Sequence, residues 1–256
     1  MLSGTRVKHI HSLKQKKFRE IHRQFLAEGS KLVTEILESP FNVTSIYASA
    51  DWLKRNESIL LSKKIPYQEI SEKEMTRITA LSSPSPALAI TEIPIQVIPG
   101  TINDLVLALD DIRDPGNLGT IIRIADWFGI GSVICSENTV DLYNQKVIQA
   151  TMGSVLRVRV AYVDLPQFLS SLPDDINIYG TFPTGENIYS VKLELKGIIL
   201  IGNESTGISQ EIISKVTNKI SIPSFSKTSG QGEHAESLNA SVAAAVICSE
   251  FRRRKE

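Results

Sequence analysis

From residue 101 onward, short apolar runs alternate with helix-patterned stretches, and this limits the fold more than any other feature of the chain. Strands are expected at 105–109, 132–135, 157–163, 176–181, 197–202 and 219–222, and helices at 118–128, 144–153, 165–171, 209–217 and 237–252. Strands that alternate with helices predict an α/β fold: a mainly parallel sheet with helices on both faces. Such sheets bind ligands at the carboxyl ends of their strands. The residues just after each run are therefore the places to look for chemistry. With 42% apolar and 22% charged residues, the 256-residue chain has an ordinary globular composition that needs no special architecture.

The first part of the chain reads as a smaller α/β unit. Phe18, Ile21, Phe25, Leu32, Val33, Ile36 and Leu37 follow an approximate 3–4 spacing, which predicts a helix over 18–37. A strand is expected at 45–48, a helix at 51–63 and strands at 65–70 and 87–93. Between the last two, residues 71–81 read as a helix with Ser71 as cap and Glu74 at the capping-box position. PIQVIPG (94–100) carries two prolines and a glycine and reads as a linker. The expected division is 1–93, a linker at 94–100, and a larger domain over 101–256.

Net charge is zero but uneven. Residues 1–31 hold eight Lys/Arg (Arg6, Lys8, Lys14, Lys16, Lys17, Arg19, Arg23, Lys31) against Glu20 and Glu28, and the chain ends in Arg252, Arg253, Arg254 and Lys255. Two contact zones for a polyanion and two solvated helix surfaces both fit this distribution. No apolar run is long enough to span a bilayer, and Met1–Gly4 leads into basic residues without a signal-peptide core. Cys135 and Cys248 lie in apolar surroundings and read as buried thiols, so a cytoplasmic setting is expected.

Several enzyme signatures are missing: there is no G-x-G-x-x-G after the strand at 105–109, no Walker A sequence, no H-E-x-x-H and no G-x-S-x-G. The four histidines have no metal-ligand spacing. Only His234 has a position open to catalysis, in a polar segment (224–236) that reads as a mobile loop, and a solvated loop histidine is the better reading of it.

Three segments remain. LDDIRDPGNLGTIIRIADWFG (109–129) is a strand end, a turn and a helix, with Asn117 at the expected N-cap and Gly129 as stop. Leu118, Ile121, Ile122, Ala125 and Phe128 share one face, and Thr120, Arg123 and Trp127 the other. Arg123 reads either as a surface residue paired with Asp126 or as a guanidinium that holds an anion near a helix start. LIGNESTGIS (200–209) places Gly202, Asn203 and Glu204 at a strand end, as an Asx turn or as ligand contacts. SLNASVAAAV (237–246) reads as a helix start with Ser237 as cap, its alanine-rich body suited to close packing inside the domain or against a second subunit.

Taken in order, DPGNLGTIIRIADWFG, LIGNESTGIS and IPS…SLNASVAAAV resemble the three motifs of the SpoU (TrmH-like) RNA ribose 2′-O-methyltransferases. HSLKQKKFREIHRQFLAEGSKLVTEIL and ITALSSPSPALAI resemble the substrate RNA-binding domain attached to many members. The resemblance implies a C-terminal trefoil knot, S-adenosyl-L-methionine as cofactor, ribosomal or transfer RNA as substrate, and a homodimer. By motif position it places Gly202, Ile222 and Leu238 against the cofactor, largely through backbone, with Thr181 beside the same pocket. Arg123, Asn117, Glu204, Ser237 and Asn239 fall on the family's catalytic positions, with Glu204 expected to hold Arg123 or a neighbouring loop. Ser205, where the family commonly has glycine, and the long 224–236 loop depart from the pattern. The rival readings are a non-catalytic RNA-binding protein that keeps the fold and a conventional α/β enzyme acting on a small molecule.

Overall fold

A computed structural model describes residues 1–225 and 237–253. The chain divides into two compact units, Met1–Ile95 with Asp141–Leu156 and Gln96–Val140 with Arg157–Glu256, called units 1 and 2.

Unit 1 opens with α1 (Gly4–Ser12), α2 (Lys16–His22), β1 (Gln24–Glu28), α3 (Ser30–Glu38) and β2 (Val43–Ala48), and continues with α4 (Ala50–Ser62), β3 (Tyr67–Glu69), α5 (Glu72–Ile78) and β4 (Ala87–Glu92). The sheet order is β1-β4-β2-β3, with β4 antiparallel to both neighbours and β3 parallel to β2. The capping box of α5 forms as expected. Ser71 Oγ accepts from Glu74 N at 3.3 Å, and the Glu74 carboxylate accepts from Ser71 N at 3.0 Å. These backbone hydrogen bonds, with one from Leu2 N, hold the Glu74 carboxyl below its usual range.

The single helix expected over 18–37 is corrected. Arg23 (φ 50°) and Gly29 (φ 118°) end α2 and start α3, and β1 lies between them. Phe25, Leu26 and Ala27 are consecutive and all buried, the mark of a strand covered on both faces. Joined to the apolar residues of α2 and α3, the same run imitates helical spacing.

Unit 2 begins with β5 (Leu105–Leu109), α6 (Pro115–Trp127) and β6 (Ser132–Ser136). The chain then returns to unit 1 for residues 141–156, which carry α7 (Gln145–Thr151). It resumes unit 2 with β7 (Arg159–Val163), α8 (Leu165–Ser170), β8 (Ile178–Asn187), β9 (Gly197–Ile201), α9 (Gln210–Ile213), β10 (Asn218–Ser221) and α10 (Ala240–Arg253). The six strands lie in the order β10-β8-β9-β5-β6-β7, all parallel. Central β5 is buried along its whole length, and Val106, Ala108, Ile134, Ile198 and Leu200 belong to one apolar core. Among the described residues no helix is long and apolar enough to cross a membrane.

The excursion through 141–156 is held by buried polar contacts inside unit 1. Arg19, 4% exposed, donates to Asp141 Oδ2 from Nε (3.0 Å) and Nη2 (2.5 Å), and to Leu13 O (2.9 Å). Glu28, 2% exposed, accepts from Thr79 Oγ1 at 2.5 Å, from Ala80 N at 3.1 Å and from Gln145 Nε2 at 3.2 Å. Gln149 Nε2 donates to the Glu28 carbonyl at 2.8 Å, and Tyr143 packs on Phe25 with ring centroids 4.7 Å apart. Burial, reinforced by Asp141, raises the Tyr143 phenol above its ordinary range. The division expected from sequence is contiguous, whereas the compact units are not. The glutamines of α7 supply amide donors that the buried carboxylate and backbone of Glu28 require.

Candidate functional site

The helix after β5 starts on Asp114, not Asn117. Asp114 Oδ1 accepts from Asn117 N at 2.8 Å, and Pro115 occupies the first turn. Asn117 is therefore the third residue of the helix, and its side-chain amide is not consumed by capping. Its Nδ2 donates to Glu204 Oε1, and its Oδ1 accepts from Asn239 Nδ2 at 3.0 Å. One amide thus joins residues from all three motifs.

Asn239 is itself fixed. Its Oδ1 accepts from Ser241 N (3.0 Å), Ser241 Oγ (2.7 Å) and Val242 N (3.3 Å), which is the capping role expected of Ser237. Ser237 stands too far before α10 to reach those amides; it is exposed and makes no hydrogen bond with another described residue.

Glu204 is presented by a tight loop after β9. Asn203 and Gly207 exchange backbone hydrogen bonds of 3.1 and 2.9 Å, and Asn203 Oδ1 accepts from Ser205 N and Thr206 N at 2.8 and 3.2 Å. This Asx turn closes with serine at 205, through its backbone N–H alone. Asn203 Nδ2 donates to Asp111 O at 2.8 Å, and buried Asp110 accepts from Ser209 N at 2.7 Å. The loops that follow adjacent strands β5 and β9 are thereby tied together. Asn203 forms the Asx turn that is one of its two expected readings, whereas Asp110, Asp111 and Asp114 are not among the expected site residues. Asp-Pro at a helix start is a legible capping signal; the long-range bonds of Asp110 and Asp111 have no sequence signature.

Arg123 lies on the exposed face of α6 with Thr120 and Trp127, as the periodicity predicts. It has no hydrogen bond or ion pair with another described residue. Asp126, the alternative partner, binds Arg157 at 2.9 Å. Glu204 holds Asn117 instead of Arg123.

Gly202 and Ile222 directly follow β9 and β10, whereas Thr181 lies inside β8, which runs on to Asn187 past the strand end expected at 181. Strands β8 and β9 pair only as far as Gly180↔Leu200, so the chain leaves β9 just before half-buried Thr181. Ile222 directly follows β10 and is half-buried. At Gly202 a Cβ would stand 2.4 Å from Gly207 C and 2.5 Å from Ile208 N, so the returning loop packs directly on its backbone. Leu238 is 47% exposed. These positions fit a ligand held mainly by backbone groups, and Gly202 is the point where a side chain would open the loop. His234 and most of the 224–236 segment lie outside the described residues, as do Arg254 and Lys255. Among the described residues no group of His, Cys, Asp and Glu is placed to hold a metal ion.

A wholly parallel α/β unit whose polar loops meet at the strand ends, accompanied by a second α/β unit, is the architecture of a ligand-binding enzyme domain with an attached module. Residues 104–249 match the model of the SpoU rRNA methylase family, and residues 4–89 match the MRM3-like substrate binding domain. The chain belongs to the SpoU rRNA methylase family. It is 30% identical over 249 residues, 96% of each chain, to the 23S rRNA (guanosine(2553)-2′-O)-methyltransferase RlmP of Bacillus subtilis. A solved structure from Porphyromonas gingivalis, of the TrmH family, superposes with a TM-score of 0.86 at 33% identity over 99% of both chains. The AdoMet-bound rRNA methyltransferase from Sinorhizobium meliloti gives 0.84 at 28% identity, covering 99% of this chain and 97% of that one.

Proposed function

We propose that the chain transfers a methyl group from S-adenosyl-L-methionine to a ribose 2′-hydroxyl of ribosomal or transfer RNA. The observation that carries this reading is the amide of Asn117, which joins Glu204 and Asn239 beside a helix whose Arg123 is exposed and uncommitted. The cofactor, when bound, supplies a methyl group made electrophilic by its sulfonium. Backbone at Gly202 and Ile222, with Thr181 and Leu238, forms its cradle.

The chain's own residues position and stabilise. Asn117 is locked by a charge-assisted hydrogen bond to Glu204 on one side and an amide–amide hydrogen bond from Asn239 on the other, which holds the first turn of α6 in one geometry. Arg123 binds the phosphate next to the target ribose and offsets the charge that develops on its 2′-oxygen. A guanidinium is protonated at any accessible pH, so this clamp role is preferred to that of a base. Ser237 and Asn239 line the substrate side. A pH–rate profile separates the roles: a basic limb that moves when residue 123 is changed overturns the clamp.

The homodimer belongs to the same reading. Trp127 on α6 and Val242 on α10 are 84% and 48% exposed, and the two helices pack together, so their outer surface offers a second copy an apolar face. Light scattering at micromolar concentration is expected to give twice the chain mass; a monomer overturns this. A cytoplasmic setting goes with two buried, unpaired thiols.

The deciding experiment maps ribose methylation in cellular RNA with and without the gene, alongside calorimetry of the purified chain with S-adenosyl-L-methionine. One ribose methyl that disappears with the gene and returns with the added enzyme is expected. A chain that binds RNA but not the cofactor is the non-catalytic rival.

A further inference from the structure

At one end of the unit 1 sheet β1 and β2 begin and β4 finishes, and the side chains there form a continuous polar track. His22 and His9 meet edge to face with centroids 4.8 Å apart, and Phe18 stacks on His22 at 6.5 Å. His9 Nε2 donates to Gln24 Oε1 at 3.0 Å, and Gln24 Nε2 donates to Thr44 Oγ1 at 3.4 Å. Thr44 then lines an open cavity of about 500 Å³ with Phe41, Asn42, Lys63, Lys64 and Pro66.

Little of this track is required by the fold. His22 and Lys64 are exposed. Lys63 Nζ donates to Leu37 O and, at 3.2 Å, to Ser39 O, where it satisfies carbonyls at the end of α3. The neighbouring Lys64 ammonium has no partner among the described residues. Arg23 is exposed, with a single weak contact of 3.4 Å to Ile93 O. Two acids stand nearby: Glu92, exposed at the end of β4 opposite Gln24, and Glu20, 3.9 Å from Lys16. They are outnumbered by the basic residues of α1 and α2.

We propose that this track is where unit 1 holds an unpaired stretch of RNA. A base stacks on the His22 ring, the flanking phosphates meet Arg23 and Lys64, and the cavity receives a neighbouring nucleotide. Its volume lies within the roughly 300–1,000 Å³ of small-ligand clefts. Exposed rings beside free cations are what single strands use, because a base inside a duplex has no open face to offer. The inference rests on the methyltransferase reading and deepens it: the substrate is locally single-stranded where unit 1 grips it.

The test uses the whole chain and two labelled probes, a short oligouridylate and an RNA duplex of the same length, with binding read by fluorescence anisotropy. His22→Ala is expected to weaken the oligouridylate about tenfold and leave the duplex unchanged. Lys64→Ala is expected to lower the slope of log affinity on log salt by about 0.7. Lys54→Ala, an exposed change on α4, is expected to match wild type on both probes. Unchanged oligouridylate binding by His22→Ala, or equal loss on both probes, overturns the track. Cofactor calorimetry and methyl transfer by the wild-type chain keep the two readings apart. If both succeed while the variants bind normally, only the track fails; if both fail, the methyltransferase reading falls and takes the track with it.

Discussion

In unit 1 the decisive polar groups are sealed: Arg19 and Glu28 are 4% and 2% exposed, and each is surrounded by several partners. In unit 2 Asn117 and Glu204 are half-buried, Asn239 and Arg123 are exposed, and Arg123 has no described partner. The difference separates two uses of the same chemistry. A buried, fully satisfied network rigidifies a fold, and removing one member strands the others without water. A half-exposed network holds geometry while leaving lone pairs and protons for a substrate. Unit 1 residues should therefore govern stability, and the unit 2 residues activity.

That comparison can be broken most sharply at Arg123. Arg123→Ala is expected to lower methyl transfer by about 10²–10³-fold, in the range for loss of one electrostatic stabiliser. Tm and cofactor affinity should stay near wild type, since the guanidinium holds nothing in the described fold. A loss of cofactor affinity by calorimetry would move Arg123 to the wrong side of the site. The counterpart is Arg19→Met, which leaves Asp141 and Leu13 O without their donor and is expected to cost about 3 kcal/mol in urea unfolding. Its turnover per folded molecule should change little; a turnover loss without a stability loss would reverse the comparison.

Asn117→Ala probes the middle case. It is expected to reduce turnover about tenfold, a scale set by one or two lost hydrogen bonds. Stability should fall by about 1 kcal/mol or less, because water can reach Glu204 and Asn239. The smallest expected effect belongs to the sealed part of unit 2. Burial, only partly opposed by Arg252, pushes the Cys248 thiol up to about 12. A thiol in the unfolded chain titrates near 8.5. The folded form keeps its proton longer, so this contribution to stability is complete below about pH 8.5 and is lost as pH rises toward the folded value. Cys248→Ala should flatten the fall of Tm between about pH 8.5 and 10; an unchanged fall would show that the thiol carries none of it.

Much of this architecture is legible in residue order. The run Leu105–Leu109, the turn and the apolar face of α6 predict a strand, a loop and a helix; the strand lies where the pattern puts it, and the helix starts three residues before the expected 118. What misleads is local imitation. Asn117 has the chemistry of a cap, but Asp114 before Pro115 has it too and stands one turn earlier. Ser237 loses to Asn239 for the same reason. Phe25, Leu26 and Ala27 look helical only when their neighbours are counted with them. The union of Asn117 with Glu204 and Asn239 spans most of unit 2 and leaves no periodic trace; only the family motifs place those residues together in advance. Nothing in QKVIQAT marks it as part of unit 1, since its glutamines are ordinary surface residues until Glu28 is buried beside them.

That last feature bears on how the protein is made. A ribosome delivers the N-terminal elements first, and domains ordinarily fold in that order. Here Arg19 and Glu28 must wait for Asp141 and Gln145, which emerge more than a hundred residues later and only after β5, α6 and β6 of the other unit. Unit 1 is complete only at residue 156, when the first stretch of unit 2 has already been made and the second has not. A nascent chain stopped at residue 100 would leave Arg19 without Asp141 and Glu28 without Gln145, and a gene cut at that point would part α7 from the rest of unit 1.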